Sequence, residues 1–229
     1  MIVQLKNGEY MSHRNKFQIV ALFLPLLLLL SGCSQNGSSS SSFDMKRTGQ
    51  VKSYDENAQE VPGSTLKDDG YYKKGLDSNY TVESEMVVDE VNGLVWQNNA
   101  DVGSVVKPWL SAENYIFCTD NVNTFSCDDT SGDTAVEYCS KLILNNHSDW
   151  RLPTLEELDT LVDYGKYAPA IESAYFNADD ANSSFWSAST YQSGEYGIGD
   201  KAWSLSFVDG SDSYDFKNSA LHVRCVRGR

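Results

Sequence analysis

Five cysteines carry most of the latent chemistry of this 229-residue chain. Cys118, Cys127, Cys139 and Cys225 include no Cys-x-x-Cys pair and no histidine at ligand spacing, so a zinc site is not indicated. In an exported chain such a set predicts two disulfides, with three connectivities open. Spacing favours the local pair Cys118–Cys127 with the long pair Cys139–Cys225. The run Asp209-Gly210-Ser211-Asp212-Ser213-Tyr214-Asp215 offers the carboxylates of Asp209, Asp212 and Asp215 at close spacing, a hard-oxygen set that suits Ca²⁺. It lacks the EF-hand pattern, and plain turns are the competing reading. Calcium is the one cofactor with any support. Glu156 and Glu157 resemble a catalytic carboxylate pair, yet a helix start accounts for acids at that place. His147 and His222 accompany no Gly-x-Ser-x-Gly elbow, so a nucleophilic triad is not indicated. The stretch from Tyr191 to Lys201 is of another kind, since Tyr191, Gln192, Glu195, Tyr196 and Asp200 alternate with Gly194, Gly197 and Gly199. Tyrosine gives contact area with little rotamer entropy to lose, and glycine lets the backbone adapt. These residues are the candidate ligand contacts.

The fifth cysteine belongs to the N-terminus. Arg14 and Lys16 precede an apolar stretch from Ile19 to Leu30, followed by Leu30-Ser31-Gly32-Cys33. As a helix the stretch rises about 18 Å, short of the roughly 30 Å hydrocarbon core, and so reads as a signal h-region over residues 1–32. The four residues ending in Cys33 resemble the bacterial lipobox, whose cysteine is acylated, palmitate being one such chain, and becomes the new N-terminus. Cys33 is therefore the expected lipidation site and the membrane the expected partner through it. Ser34, which is not Asp, implies the outer membrane by resemblance to Gram-negative lipoproteins, with cell-surface display as an extension. Met11 gives a more compact signal than Met1. Cleavage removes Lys6, Arg14 and Lys16 against Glu9, taking the net charge from −14 to −16. That excess of acid argues against nucleic acid and other polyanions. Residues 33–70 show a polyserine run, Ser38 to Ser42, and no hydrophobic period, which reads as a flexible tether.

The elements that must position the candidate residues lie in 71–229. Met86-Val87-Val88 and Leu94-Val95-Trp96 flank Val91-Asn92-Gly93 and predict a hairpin. Thr134-Ala135-Val136-Glu137 and Thr154-Leu155-Glu156-Glu157 are capping boxes opening two amphipathic helices. Further strands are expected over 184–189, 202–208 and 221–226. Strands flanking a central pair of helices indicate an α+β fold. Trp96, Trp150, Trp186 and Trp203 read as core rather than ligand platforms. Arg151 is expected to pair with a carboxylate or a strand carbonyl.

Read in order, the motifs resemble a known family. Val88-Asp89-Glu90-Val91-Asn92-Gly93-Leu94-Val95-Trp96-Gln97, Glu137-Tyr138-Cys139, Asp149-Trp150-Arg151-Leu152-Pro153-Thr154, Phe185-Trp186-Ser187, Ala202-Trp203 and Val223-Arg224-Cys225-Val226-Arg227 look like the DUF1566, or Lcl C-terminal, domain, over about Tyr80 to Arg227. The resemblance implies a C-type-lectin-like α+β fold related to the formylglycine-generating, sulfatase-modifying group, with a helix cysteine tied to one in the last strand, here Cys139 to Cys225. Two departures stand out. Ala188 is an extra residue within Trp186-Ser187-Ala188-Ser189-Thr190, from which a shifted register of the edge leading to the next loop is expected. No Gly-X-Y segment is present, so a collagen-driven trimer does not carry over. The sugar-binding triplets of calcium-dependent lectins are absent too, and a shared fold does not supply that activity. The expectation is an adhesin-like, non-enzymatic module for a glycan or protein on a lipid-anchored chain. The alternative is a periplasm-facing enzyme, or a helper of one, on the formylglycine-generating scaffold.

Overall fold

A computed structural model describes residues 45–61, 66–120, 127–177, 183–192 and 199–228. The Asn-Gly hairpin forms as expected: β2 (Met86–Asp89) pairs antiparallel with β3 (Leu94–Gln97). Asp89 builds the turn, its carboxylate accepting from the Val91 and Asn92 amides and from Asn92 Nδ2, and Gly93 supplies a φ of 69°. With β1 (Tyr80–Glu83) and β9 (Val226–Arg227) these strands give a sheet of order β1-β2-β3-β9. The second sheet uses β4 (Val106–Pro108), β5 (Ser184–Tyr191), β6 (Lys201–Ser206), β7 (Asp212–Phe216) and β8 (Ala220–His222), in the order β4-β8-β5-β6-β7. Its pairs are antiparallel apart from β5 with β8, which run parallel at Phe185 and His222.

Four helices complete an α+β fold among the described residues: α1 (Asp69–Tyr72), α2 (Ala112–Asp120), α3 (Ala135–Lys141) and α4 (Leu155–Asp159). The box at α4 is reciprocal, Thr154 Oγ1 accepting from the Glu157 amide while Glu157 accepts from the Thr154 amide. Glu157 also takes a two-point fork from Arg151, at 2.7 and 2.6 Å, so its carboxylate holds the helix start. The box at α3 is half made: Thr134 accepts from the Glu137 amide, but the Glu137 side chain pairs with Lys141. The two disulfides are Cys118–Cys127 and Cys139–Cys225, with Cα atoms 5.1 and 5.5 Å apart. The second joins α3 to the residue before β9, as the family resemblance implied.

Two buried clusters result. One gathers Val87, Leu94, Trp96, Leu158, Phe185 and Phe207; the other surrounds both disulfides with Trp109, Trp150 and Trp186. Trp96, Trp150 and Trp186 are core as expected. Trp203 is not: it lies half-buried on β6, on the side that also carries Leu205.

The tether expected over residues 33–70 is seated on the domain from Met45 onward. Lys46 pairs with Asp89 at 2.5 Å, their side chains only 6% and 0% exposed, and donates to Tyr80 Oη at 2.8 Å and to the Thr160 carbonyl at 3.2 Å. Its backbone forms a parallel bridge with Leu76. Thr48 then donates to Asp69, and Ser53 to Asp68 at 2.6 Å. Composition misread this strap because ion pairs and hydroxyl contacts hold it, and neither leaves a hydrophobic period.

Candidate ligand-binding site

The site is built by the register of β6 against β7. Lys201 stands opposite Phe216, Trp203 opposite Tyr214 and Leu205 opposite Asp212, and alternation puts all six on one side of the sheet. Tyr191, opposite Lys201 on β5, joins them. Its ring stacks on Tyr214 across the central strand, with centroids 4.0 Å apart and planes at 17°. Trp203 meets both rings edge-on, at 5.1 and 5.9 Å. Lys201 lies over Tyr214 and Phe216, 4.9 and 4.7 Å from their centroids. Tyr214 and Phe216 remain 43% and 49% exposed, so the aromatic ledge faces solvent. The Tyr191 hydroxyl has a raised pKa, through desolvation first and the adjacent Tyr214 second.

An irregularity in β5 sets Tyr191. Between Trp186 and Thr190 the pairing with β6 shifts register, where the extra Ala188 sits. Ser187 Oγ donates to the Trp203 carbonyl at 2.8 Å, and the Ala188 amide to the Pro153 carbonyl at 2.6 Å. Ser189 Oγ accepts from the Leu155 amide at 3.1 Å, fastening the start of α4 to this edge. Beyond the bulge, Thr190 and Tyr191 resume pairing with Ala202 and Lys201.

The next pair along the same face, Leu205 and Asp212, lines a cavity of about 690 Å³ between the strap, α4 and the β6–β7 turn. Leu155 and Leu205 give it apolar wall; Glu156, Asp159, Tyr164 and Asp212 give it polar edge. Tyr164 Oη donates to Asp159 at 2.9 Å, and its pKa is pushed up to about 12 by burial, then by Asp159 and Asp212. Gly210 closes the turn at a φ of 79°; a Cβ there would come within 2.4 Å of Val162. The cavity's two cations are committed, Lys46 to Asp89 and Arg47 to Asp77. Flat aromatic faces beside carboxylates suit the apolar faces and hydroxyls of sugars and disfavour polyanions.

Residues 85–227 match the Lcl C-terminal domain. The chain belongs to that family. No curated protein matches it. The strap thus lies outside the segment that defines the Lcl C-terminal domain, although its Lys46 is paired inside it with Asp89.

Within the Lcl C-terminal domain the expected contacts separate. Tyr191 is in the ledge and Gln192 follows it exposed, whereas Asp200 offers its carbonyl to the Lys217 amide at 2.8 Å. Glu195 and Tyr196 lie outside the described residues, as does Cys33. The structure does not assemble the calcium set. Asp212 and Asp215 fall on opposite sides of β7, Asp215 accepting from Ser204 at 2.9 Å, while Asp209 accepts from the amide and hydroxyl of Ser211 in the turn. Strand alternation divides what close sequence spacing appeared to join. Among the described residues no three His, Cys, Asp or Glu side chains cluster as a metal site.

Trp203, Tyr214 and Phe216 were missed. The available signal was the period-two placing of Asp212, Tyr214 and Phe216, obscured by Ser213 and Asp215 between them. Two buried cations brace the scaffold. Lys217 Nζ donates to the Cys127 carbonyl at 2.7 Å and lies 4.1 Å from the Trp109 ring centroid, its pKa pushed down to about 8 by burial. Arg224, pushed down to about 9 by burial, donates to the carbonyls of Gln97 and Asn177.

Proposed function

We propose that this chain is an envelope lipoprotein, acylated at Cys33 and directed to the outer membrane, that presents its Lcl C-terminal domain as a non-enzymatic glycan-binding module. The observation that carries the reading is the solvent-facing ledge of Tyr191, Trp203 and Tyr214. Aromatic surface left open to water costs hydration unless something covers it, and pyranose faces are a matching apolar surface. The acidic cavity beside the ledge favours neutral or amine-bearing sugars over sulfated ones. The C-type-lectin-like relationship, and through it kinship with formylglycine-generating enzymes, belongs to the same proposal; it is supported by the helix-to-last-strand disulfide Cys139–Cys225.

The test is a glycan array with the purified full-length protein, followed by titration of any hit by tryptophan fluorescence. Tyr214→Ala should weaken binding about tenfold, the loss of one stacking face. An array blank for all glycans, or binding unchanged by Tyr214→Ala, would overturn the assignment; capture of a protein with the same sensitivity would replace glycan by polypeptide.

A further inference from the structure

The strap and α1 bring together a second exposed surface, made of residues other than those of the ledge, with Met45 shared between it and the cavity lining. Residues 71–79 are all exposed, and Tyr71, Tyr72 and Leu76 leave 52%, 49% and 49% of their surface open. Met45, which accepts the Leu76 amide through its carbonyl at 3.0 Å, is 78% exposed beside them. Tyr71 and Tyr72 meet edge-on at 5.1 Å, and Lys74 lies 5.2 Å from the Tyr72 ring centroid. Lys67, Lys73 and Lys74 are exposed and make no ion pair among the described residues. The neighbouring carboxylates are occupied: Asp68 caps α1, Asp69 accepts from Thr48, and Asp77 pairs with Arg47. A chain of net charge −14 thus collects three lysines that form no ion pair among the described residues around two tyrosines and two aliphatic side chains, with Asp68 and Asp69 the charged carboxylates beside them. Amphipathic rings with flanking lysines are what membrane interfaces select.

Chain length limits how far this surface can stand from the Cys33 anchor. About a dozen residues separate Cys33 from Met45, and even fully extended they span no more than roughly 40 Å. We infer that the Tyr71–Leu76 face, with Met45, rests on the anionic phospholipid surface that holds the Cys33 anchor, so that the domain lies on its membrane rather than swinging free above it. The inference depends on the lipidation proposed above. Tyrosines and aliphatic groups enter the headgroup region, and each lysine raises the docked population about fivefold on an anionic surface.

The experiment takes the full-length acylated protein reconstituted in vesicles of phosphatidylethanolamine with phosphatidylglycerol, or of phosphatidylcholine alone, and follows amide hydrogen exchange. Exchange over residues 66–77 should slow on the phosphatidylglycerol vesicles. Lys73→Glu with Lys74→Glu should cut the docked population by at least about 25-fold and abolish the slowing. Both lysines are exposed, so an unchanged melting temperature in that variant shows that folding is not the cause. Equal exchange on the two vesicle types would overturn the inference. So would protection that tracks protein density instead of lipid charge, which would assign the face to a second copy. Intact mass separates the premise: protein without acyl chains on Cys33 refutes the anchor itself, and the docking with it.

Discussion

Replacing Lys46 by Met tests whether the strap is part of the fold. The substitution keeps the aliphatic stem and removes the charge, leaving Asp89 fully buried without its 2.5 Å partner. Breaking a buried pair from one side costs about 3–5 kcal/mol. Three donors remain on Asp89, from the Val91 and Asn92 amides and Asn92 Nδ2, which places the cost near the lower end, about 3 kcal/mol. Lost contacts to Tyr80 and Thr160 act in the same direction. For a domain of this size about 2–4 °C accompanies each kcal/mol, so the melting temperature should fall by about 6–12 °C. Urea unfolding monitored by tryptophan fluorescence reports the same difference as a midpoint shift at unchanged slope. The double variant Lys46→Met/Asp89→Asn removes both charges and should be less destabilised than the sum of the single variants, a coupling of about 1.5 kcal/mol or more. A Lys46→Met protein melting within about 2 °C of the parent, with additive single and double variants, would refute the clamp and return residues 45–61 to the status of a tether.

Removing the long disulfide by Cys139→Ala/Cys225→Ala, with the partners 86 residues apart, should cost about 4.6 kcal/mol in the chain-entropy picture; removing Cys118–Cys127, 9 apart, should cost about 2.6 kcal/mol. Denaturant titration of the two double variants reads the order, and the reverse order would contradict it. Lys217 has a folded pKa near 8 against an unfolded value near 10.5, so between those values the unfolded chain holds more protons and the parent gains stability as pH rises. The stability difference between parent and Lys217→Met should therefore move in the parent's favour from about pH 8 to pH 10, and a flat difference would rule out the lowered pKa of Lys217. Tyr214→Ala, besides weakening glycan binding, should leave the melting temperature within about 2 °C of the parent, because its ring is 43% exposed.

What the sequence made legible was local. The hairpin rests on Asp89 and Asn92-Gly93, the helix starts on Thr134 and Thr154, and each is decided within four residues by turn or cap chemistry. The disulfides followed from spacing and family resemblance together. Two features were hidden for different reasons. Lys46 meets Tyr80 and Thr160 at separations of 34 and 114 residues, and nothing near Lys46 announces either partner. Trp203 and Tyr214 were hidden by chemistry that points two ways, since an aromatic on a strand fits a core and an exposed platform equally well. Register against β7 is what decides between them, and register is a property of pairs of strands. The acidic residues of Asp209 to Asp215 misled for the same reason: read as a loop they converge, while as β7 they alternate.

The strap also defines a mechanical path. If the ledge is held and the chain is drawn from its N-terminus, the tension enters the described residues at Met45. There it meets two backbone hydrogen bonds to Leu76 lying alongside a parallel bridge, so the load shears them together instead of opening them one by one. Behind them the Lys46–Asp89 pair transfers force directly to the hairpin turn, whose β3 pairs with β9, and the Cys139–Cys225 bond ties the residue before β9 covalently to α3. Under such a load the strap is the element to yield first, coming away from Leu76 in one step and lengthening the connection before the ledge itself loses shape.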